Sequence, residues 1–326
     1  MSETDAAGDE LILDAPNFIR VYKSGRVERF LPVDFAPPGT DAATGVSSKD
    51  VPILPGPGMS ARIYLPVTAT AGGQQGKVPV LVFFHGGGFC LGSAFDAAVH
   101  GHANQLAARA GAMVVSVEYR LAPERPVPAL YGDAWAALQW VAAHAAGNGP
   151  ESWLTAHADL ARVHVGGESA GANIAHHAAM RAGAEELGHG VRVGALLLIH
   201  PYFLGGDGAS ESDEMGMAML RELVRLWPVV CPGTSGWEDP WINPMAEGAP
   251  SLARLGCRRA LVCVGGRDPM RGRGRLYAEK LMASGWHGEV GVWEADGQGH
   301  GFHLVRPTWL EAEAQVRVIA QFLGRP

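Results

Sequence analysis

Residues 162–171 read Arg-Val-His-Val-Gly-Gly-Glu-Ser-Ala-Gly and contain the most informative pattern in the chain. Its apolar first half predicts a buried strand, and the alanine-rich residues 172–186 that follow predict a helix. Between the two, residues 167–171 match the pattern Gly-x-Ser-x-Gly, in which a sharp strand-to-helix turn forces the serine outward. The bare pentapeptide also occurs in ordinary Gly-Ser turns. The strand before it and the helix after it favour Ser169 as a nucleophile.

Strand-length apolar runs and helical stretches alternate on both sides of this turn. The predicted strands are 78–84, 112–117, 161–165, 195–199, 260–264 and 290–293. The predicted helices are 102–109, 130–144, 172–186, 275–283 and 309–323. Apolar runs that are continuous rather than alternating indicate strands covered on both faces, and strands that alternate with helices form parallel sheets. The order predicts an α/β fold with a mostly parallel central sheet flanked by helices.

Two regions depart from this alternation. Residues 205–248 insert a Met- and Leu-rich amphipathic helix, predicted over residues 215–227, and then loops that contain Pro and Trp. Near the amino end, residues 18–22 and 27–30 alternate like short strands or pieces of a lid. We expect the whole chain to form a single domain, with cap elements at about 1–45 and 205–248 over the carboxyl edge of the sheet.

A run of glycines follows the first strand of the series, in His85-Gly86-Gly87-Gly88-Phe89. Acyl transfer passes through a tetrahedral oxyanion that backbone N–H groups stabilise, and glycines present their amides without side-chain obstruction. Gly87 and Gly88, together with the N–H of Ala170, are the expected donors. A phosphate-binding loop is a competing interpretation, but the run lacks the P-loop Lys-Ser/Thr and the Gly-x-Gly-x-x-Gly spacing. A purely structural turn would not explain why the run and the serine turn occur in the expected order.

A serine nucleophile needs a base, and the base needs an orienting carboxylate. In this fold the acid and then the histidine follow the serine along the chain. Asp268 comes just after the fifth predicted strand, and His300 just after the last one. Both therefore fall at carboxyl ends of strands, where sheets of this kind place their sites. His303, Glu294 and Asp296 are rivals. The side chain of His303 should point in another direction, because successive helical residues are rotated by about 100°. Glu294 and Asp296 lie on the same loop as His300, which makes them poorer partners for its ring than an acid from a neighbouring strand end.

Two histidine pairs resemble metal-ligand patterns, His100-x-His102 and His176-His177. A metal site needs further ligands at a supporting spacing, and neither pair has an acidic residue or a third ligand so placed. We therefore expect no metal, and helix-surface or partly buried roles for these histidines. Cys90 follows the glycine run, and its thiol is expected to pack rather than to react.

The composition favours a large core and disfavours charged macromolecular partners. Of 326 residues, 47% are hydrophobic and 18% charged, and the net charge of −7 attracts neither nucleic acid nor anionic membranes. Four cysteines without a C-x-x-C pair fit a reducing compartment. The acidic amino end lacks a basic-then-apolar signal pattern, and the most apolar stretch, 191–204, is too short to span a bilayer. We expect a cytoplasmic protein, monomeric or weakly dimeric, with no membrane or nucleic-acid partner.

Several motifs together resemble one protein family. They are HGGGF at 85–89, EYRLAPE at 118–124, GESAG at 167–171, Asp268 and His300. The set resembles the hormone-sensitive-lipase-like branch of the α/β-hydrolases. DPWINP at 239–244 and GHGFHL at 299–304 are similar to the plant carboxylesterases within it. The resemblance runs from about Phe18 to Leu323. It implies a cytosolic ester hydrolase without cofactor, whose amino-terminal segment and 205–248 insertion lie over an acyl/alcohol pocket.

The family also contains proteins that are not esterases, and fold alone does not decide function. Gibberellin receptors resemble this chain but have lost the catalytic histidine and altered the glycine run, whereas here His300 and all the glycines are present. Hydroxyisoflavanone dehydratases and tuliposide-converting enzymes perform elimination or internal acyl transfer. The dehydratases can carry threonine where Ser169 stands. Plant members usually have valine where Gly301 stands and an acidic residue where Gly272 stands.

The sequence therefore predicts a serine carboxylesterase that acts on small-molecule esters. Residues expected to bind the substrate are His85, Gly86, Phe89, Cys90 and Tyr202. With cap residues they suggest a pocket for short acyl groups and apolar or aromatic alcohols. A lyase or lactone-forming acyltransferase that uses the same residues, and a small-molecule receptor without turnover, are the alternatives.

Overall fold

Eight strands form the central sheet, in a computed structural model that describes residues 8–54, 58–69, 76–147, 149–206 and 214–325. The strands of this sheet are β4 (Ser47–Pro52), β5 (Ser60–Leu65), β6 (Val78–Phe84), β7 (Met113–Glu118), β8 (Ala158–Glu168), β9 (Val193–Ile199), β10 (Arg259–Gly265) and β11 (Glu289–Ala295). Their order across the sheet is β11-β10-β9-β8-β6-β7-β5-β4. Strands β1 (Leu11–Asp14), β2 (Ile19–Tyr22) and β3 (Val27–Arg29) form a separate antiparallel sheet.

Helices separate the parallel strands along the chain. They are α1 (Ala97–Ala110), α2 (Val127–Ala143), α3 (Ser152–His157), α4 (Ala170–Ala182), α5 (Glu214–Val230), α6 (Arg271–Ala283), α7 (Phe302–Val305) and α8 (Leu310–Gly324). Two core clusters, both containing residues of the central sheet, bury its apolar side chains. None of the helices within the described ranges is long and apolar enough to span a membrane.

The predicted α/β architecture is confirmed, because strands β6 to β11 pair in parallel. Every residue of β6 is buried, as the continuous apolar run predicts. Parallel pairing brings the carboxyl ends of β6, β8, β9, β10 and β11 to one edge of the sheet. Phe84 pairs with Gly167, Gly167 with Leu198, and Gly265 with Ala295. The loops after these strands therefore meet at that edge.

Two strands of the central sheet are absent from the sequence prediction. β4 pairs antiparallel with β5, and β5 pairs antiparallel with β7. β4 reads Ser-Ser-Lys-Asp-Val-Pro and is only partly buried, because it is the edge strand and has a single neighbour. It therefore carries no apolar run of the kind that marks the inner strands.

Helix ends differ from the prediction for identifiable reasons. The helix predicted from residue 102 begins at Ala97, since the Asp96 side chain accepts a hydrogen bond from the N–H of Ala98 and caps it. The helix predicted over 172–186 ends at Ala182. A Cβ on Gly183 would lie 1.8 Å from the carbonyl oxygen of Arg254, so a neighbouring segment crosses the chain there.

The amino-terminal sheet and α5 both contact the glycine run. A Cβ placed on Gly88 would lie 3.1 Å from Leu226 of α5 and 3.2 Å from Phe18, just before β2. Arg29 of β3 donates from Nε to the carbonyl oxygen of Cys90 at 2.8 Å and from a terminal nitrogen to that of Ala122 at 3.1 Å. The predicted cap regions thus lie against the loop after β6. Residues 1–7 and 207–213 of those regions fall outside the described residues.

Candidate active site

Ser169 occupies the turn between β8 and α4, in a backbone conformation that few residues adopt. Its φ is 54° and its ψ is −117°, a strained combination that costs on the order of 1–3 kcal/mol. Its N–H donates to the carbonyl oxygen of Ile199 at 2.8 Å, which fixes the turn to β9. A Cβ on Gly167 would lie 2.3 Å from Gly171 O, and one on Gly171 would lie 2.0 Å from Phe84 O. Glycine is therefore required on both sides of the serine.

Three side chains that are distant in sequence meet at the carboxyl edge of the sheet. The Nε2 of His300 lies 3.0 Å from Ser169 Oγ, and its Nδ1 lies 2.8 Å from Asp268 Oδ2. Asp268 follows β10, and His300 follows β11. Because an ionised carboxylate only accepts hydrogen bonds, Nδ1 must carry the proton, and Nε2 is left to accept from the serine hydroxyl. This is the arrangement of nucleophile, base and orienting acid that serine hydrolases use.

Burial and charge set the protonation of this trio. Asp268 is fully buried, which by itself would raise its pKa, but the charge and hydrogen bond of His300 and the N–H of Met270 hold the pKa of the carboxyl below its usual value. Burial alone would lower the pKa of His300, yet Asp268 and the nearby Glu168 raise it above the usual value. Each partner therefore favours the charged form of the other. An imidazolium formed when the base takes a proton is stabilised in this setting.

Gly87, Gly88 and Ala170 are the residues predicted to donate N–H groups to an oxyanion. Gly87 and Gly88 have φ values of 109° and 60°, which glycine adopts without strain. A Cβ on Gly87 would lie 2.2 Å from the carbonyl oxygen of Leu91. Within the described part of the chain, the N–H groups of Gly87, Gly88 and Ala170 donate to no protein acceptor. Ala170 is also the first residue of α4, where the helix dipole places partial positive charge. These donors can stabilise an oxyanion.

Comparison with known proteins identifies the family. The family described as "alpha/beta hydrolase fold" matches residues 81–304. The chain belongs to the α/β-hydrolase family. Relatives of this α/β-hydrolase include the 2-hydroxyisoflavanone dehydratase of Glycyrrhiza echinata, 42% identical over 99% of each chain. Probable carboxylesterase 1 of Arabidopsis thaliana is 41% identical over 96% of this chain and 98% of its own. The resemblance to plant carboxylesterases is confirmed.

A solved carboxylesterase structure is similar to this chain in fold. EstE1, a thermophilic and thermostable carboxylesterase cloned from a metagenomic library, has a TM-score of 0.68 with this chain and is 28% identical to it. The match covers 91% of this chain and 92% of EstE1.

Two residues expected to bind substrate, His85 and Gly86, make contacts that hold the glycine run of the α/β-hydrolase in place. The ring of His85 is buried and stacks on Tyr119 with centroids 4.3 Å apart, and the Tyr119 hydroxyl donates to His85 O at 2.9 Å. The N–H of Gly86 donates to Glu168 at 3.2 Å, and a Cβ on Gly86 would lie 2.8 Å from that carboxylate. Nε2 of His85 is buried and has no hydrogen-bond partner among the described residues. Substrate contact by these two residues stays a prediction.

Phe89, Cys90 and Tyr202 form a fully buried apolar wall next to the glycine run. Phe89 stacks on Tyr202 with centroids 5.4 Å apart and tilts against Trp227 of α5 at 6.1 Å. The Tyr202 hydroxyl donates to the carbonyl oxygen of Leu223, also in α5, at 2.8 Å. Burial raises the pKa of the Cys90 thiol to about 12, so the thiol stays protonated at neutral pH. The wall joins α5 of this α/β-hydrolase to the glycine run.

The rival residues lie elsewhere. His303 is buried edge-on against His102, with centroids 4.7 Å apart, and neither ring nitrogen of His303 has a hydrogen-bond partner within the described structure. Glu294 pairs with Arg271 and Arg275 rather than with His300. The side chain of Asp296 is exposed. Asp268 therefore remains the carboxylate that contacts His300.

The histidine pairs of the sequence find protein partners. His100 Nδ1 lies 3.0 Å from the Tyr64 hydroxyl, His176 Nδ1 lies 3.0 Å from the Tyr277 hydroxyl, and His177 Nε2 lies 2.9 Å from Trp241 O. His102, the fourth of these histidines, is buried and packs against Phe83 and His303.

A different histidine, which the sequence prediction missed, stands beside the site. Side-chain donor atoms of His200, Asp268 and His300 lie within 4.8 Å of one another, a spacing that could hold a metal ion. Hydrogen bonds already engage both nitrogens of His300, and Nδ1 of His200 accepts from the N–H of Gly301. His200 follows β9 directly, so the rule that found Asp268 and His300, a polar residue at the carboxyl end of a strand, also applies to it.

Proposed function

We propose that this protein is a serine carboxylesterase that hydrolyses carboxylic esters of small molecules through an acyl-enzyme. The observation that carries the proposal is the contact of Ser169 Oγ with His300 Nε2 at 3.0 Å while Asp268 holds Nδ1 at 2.8 Å. The names of the relatives agree with this reaction, since both the Arabidopsis protein and EstE1 are called carboxylesterases. The residues named in this proposal complete the reaction without a metal or cofactor.

In the first half-reaction Ser169 Oγ attacks the ester carbonyl carbon while His300 Nε2 takes the hydroxyl proton. The carbonyl oxygen becomes an oxyanion, which the N–H groups of Gly87, Gly88 and Ala170 stabilise. The carbon–oxygen bond to the alcohol then breaks, and the alcohol leaves with the proton from His300. Each oxyanion donor contributes about 2.7–4 kcal/mol to transition-state stabilisation in enzymes of this type.

In the second half-reaction water replaces the alcohol. His300 Nε2 takes a proton from the water, and the resulting hydroxide attacks the acyl carbon. The second oxyanion occupies the same donors, the bond to Ser169 breaks, and His300 returns the proton to Oγ. Asp268 remains ionised throughout, since the imidazolium stabilises its charge.

The apolar wall supports small acyl groups and apolar or aromatic alcohols as substrates. Phe89 packs against Tyr202 and Trp227, and all three rings are fully buried, so the interior next to the glycine run is apolar. The amino-terminal segment and α5 supply the rest of the enclosure through Phe18 and Leu226, which contact Gly88. We propose that these two segments act as the cap of a single catalytic domain and that a small-molecule ester is the partner they enclose.

Hydrolysis of p-nitrophenyl acetate and butyrate tests the proposal directly. The wild type should release p-nitrophenol, and Ser169→Ala and His300→Ala should each lower kcat by several powers of ten. A serine-directed phosphonate should label the wild type and not Ser169→Ala. The residue assignment fails if both variants match the wild type. The hydrolase proposal fails if the wild type shows neither turnover nor labelling, and a binding protein without catalysis is then favoured.

A lyase is the second candidate, because one relative that is 42% identical is named a 2-hydroxyisoflavanone dehydratase. Elimination from a hydroxylated substrate, or internal acyl transfer, would use the same base and the same oxyanion donors. Water enriched in heavy oxygen separates these reactions from hydrolysis. Hydrolysis places the heavy oxygen in the acid product, whereas elimination and internal transfer leave their organic product unlabelled.

A further inference from the structure

His200 stands at the carboxyl end of β9 in an unusual backbone conformation. Its φ is 47°, in the left-handed region, and its side chain is 1% exposed. Its own N–H donates to the carbonyl oxygen of Cys263 in β10 at 2.8 Å. This hydrogen bond fixes the backbone of His200 at the ends of β9 and β10, independently of the contacts of its side chain.

The side chain of His200 holds the turn that carries the proposed base. Nδ1 accepts a hydrogen bond from the N–H of Gly301 at 2.9 Å. Gly301 directly follows His300, has a φ of 67°, and has no heavy atom within 4 Å of where a Cβ would lie. A left-handed glycine in open space has a soft backbone, because no side chain packs to restrain it. The hydrogen bond from Gly301 is thus a restraint on the peptide next to His300.

We propose that His200 is a positioning residue, which holds the Gly301 peptide so that His300 faces both Ser169 and Asp268. The inference rests on the proposed function. The ring of His200 also packs against the ring of His300, with centroids 5.4 Å apart, and against that of Phe302, with centroids 5.5 Å apart. A displacement of about 1 Å at a catalytic group can lower the rate by about a hundredfold, so this restraint affects turnover directly.

Nε2 of His200 shows that packing alone does not explain a histidine at this position. Nε2 is buried and has no hydrogen-bond partner among the described residues. An unpaired buried polar atom weakens a fold, and an apolar side chain would fill the same space without that cost. Burial lowers the pKa of His200 to about 3, so the ring stays neutral and Nδ1 keeps its lone pair as an acceptor at working pH. The acceptor is the property that the site uses.

Two substitutions at position 200 distinguish the acceptor from the ring. In His200→Asn the amide oxygen takes the place of Nδ1, and asparagine tolerates a left-handed backbone. His200→Gly tolerates the same backbone but offers no acceptor. We expect kcat on p-nitrophenyl butyrate within about fivefold of wild type for the asparagine variant, and a loss of about tenfold to a hundredfold for the glycine variant. KM should change little in both, because the hydrogen bond acts on the base and not on the substrate.

His102→Ala is the matched control for the cavity that the glycine variant leaves. His102 is a buried imidazole packed against His303, and the N–H of Gly301 donates to His200 rather than to His102. Its removal should leave kcat within about threefold of wild type. Thermal unfolding of all variants identifies the temperature at which each is folded, and the kinetics are compared below the lowest of these transitions.

The pH profile supplies a readout that packing alone would not change. His300 faces Asp268 and Glu168, which favour its protonated form, and the neutral rings of His200 and His303. A misplaced His300 loses part of its interaction with Asp268, so its pKa falls. The acid limb of kcat/KM should therefore move to lower pH in His200→Gly and stay in place in His200→Asn.

The outcomes separate this inference from the proposed function. Equal kcat and equal acid limbs in the asparagine and glycine variants would overturn the positioning role, while Ser169→Ala would still be inactive. An equal loss in His102→Ala would also overturn it, since cavity formation would then explain the effect. A wild type that neither hydrolyses the ester nor reacts with the phosphonate would overturn the proposed function, and this role with it.

Discussion

Asn17 and Glu222 join the amino-terminal segment to the helix of the insertion. The Asn17 side-chain amide donates to one carboxylate oxygen of Glu222 at 2.5 Å, and its backbone N–H donates to the other at 3.1 Å. Phe18, the next residue, and Leu226, one turn further along α5, both contact Gly88. The pair therefore connects the two segments at the point where they cover the proposed oxyanion donors.

Glu222→Ala should raise KM for p-nitrophenyl butyrate and leave kcat nearly unchanged. In the proposed function the cap segments enclose the substrate and do not take part in bond breaking, so a looser cap should weaken binding without altering the chemistry. An exposed pair of this kind is worth up to about 1 kcal/mol, which limits the rise in KM to about fivefold. Steady-state kinetics measure both constants. Glu214→Ala, an exposed acid at the start of the same helix, is the control and should match wild type.

Gly87→Ala should lower kcat by about a hundredfold to a thousandfold, the loss expected when one oxyanion donor is misplaced. A Cβ at this position would lie 2.2 Å from a backbone oxygen, and the φ of 109° disfavours alanine, so the loop must shift. KM should change less than kcat, because the donors act on charge that develops in the transition state.

Gly101→Ala is the control for this substitution. Gly101 lies inside α1, and a Cβ there would meet nothing within 4 Å. Alanine should stabilise the helix by about 0.5–1 kcal/mol without changing kcat. Kinetics for Gly87→Ala that match those of Gly101→Ala would remove Gly87 from the oxyanion site.

Continuous apolar runs predicted the six parallel strands, five of which lie inside the sheet and are buried on both faces. The inner strand β5 was missed, because Arg62, which pairs with Asp50, interrupts its apolar residues. The edge strand β4 could not be found in this way, since polar side chains are tolerated where one edge and much of one face meet water. The meeting of Ser169, Asp268 and His300 could be predicted because parallel pairing places every carboxyl end at one edge. Local pattern and topology were sufficient for these features.

Features that depend on side-chain direction could not be read from the sequence. His85 and Gly86 lie in the motif that supplies the oxyanion donors, yet their groups face Tyr119 and Glu168. The contact of Phe18 with Gly88 joins residues seventy positions apart, and no periodicity marks it. Only the packed structure decides which neighbour each of these residues meets.

Glu168→Gln should move the acid limb of kcat/KM to lower pH. Glu168 is buried, and its charge is one of the causes that raise the pKa of His300. The amide keeps an acceptor for the N–H of Gly86 but removes that charge, so His300 loses its proton at lower pH. The pH profile of kcat/KM for p-nitrophenyl acetate measures the shift. A limb that stays in place or moves upward contradicts the electrostatic role of Glu168.

Acid should unfold the protein in a range where most carboxylates are still ionised, because several histidines are buried in the neutral form. Burial lowers the pKa of His102, His164 and His177 to about 4, and that of His200 to about 3. The unfolded chain binds these protons below about pH 6.5, whereas the folded chain does not, so each histidine removes about 1.4 kcal/mol of stability per pH unit as the pH falls toward 4. The midpoint of urea unfolding should therefore fall steeply between about pH 6.5 and pH 4.

His164→Leu tests the cause of this acid sensitivity. The ring of His164 lies in β8 and is 1% exposed, and burial is the main cause that lowers its pKa. Leucine fills similar space and binds no proton, so the free energy of unfolding near neutral pH should be unchanged. Below about pH 6.5 the free energy of unfolding should decrease less steeply than in the wild type, by about 1.4 kcal/mol per pH unit. Circular dichroism at several urea concentrations and pH values measures both slopes. If the variant is as acid-sensitive as the wild type, His164 does not contribute. If the midpoint of urea unfolding of the wild type is constant from neutral pH down to about pH 5, the explanation by the four buried histidines is wrong.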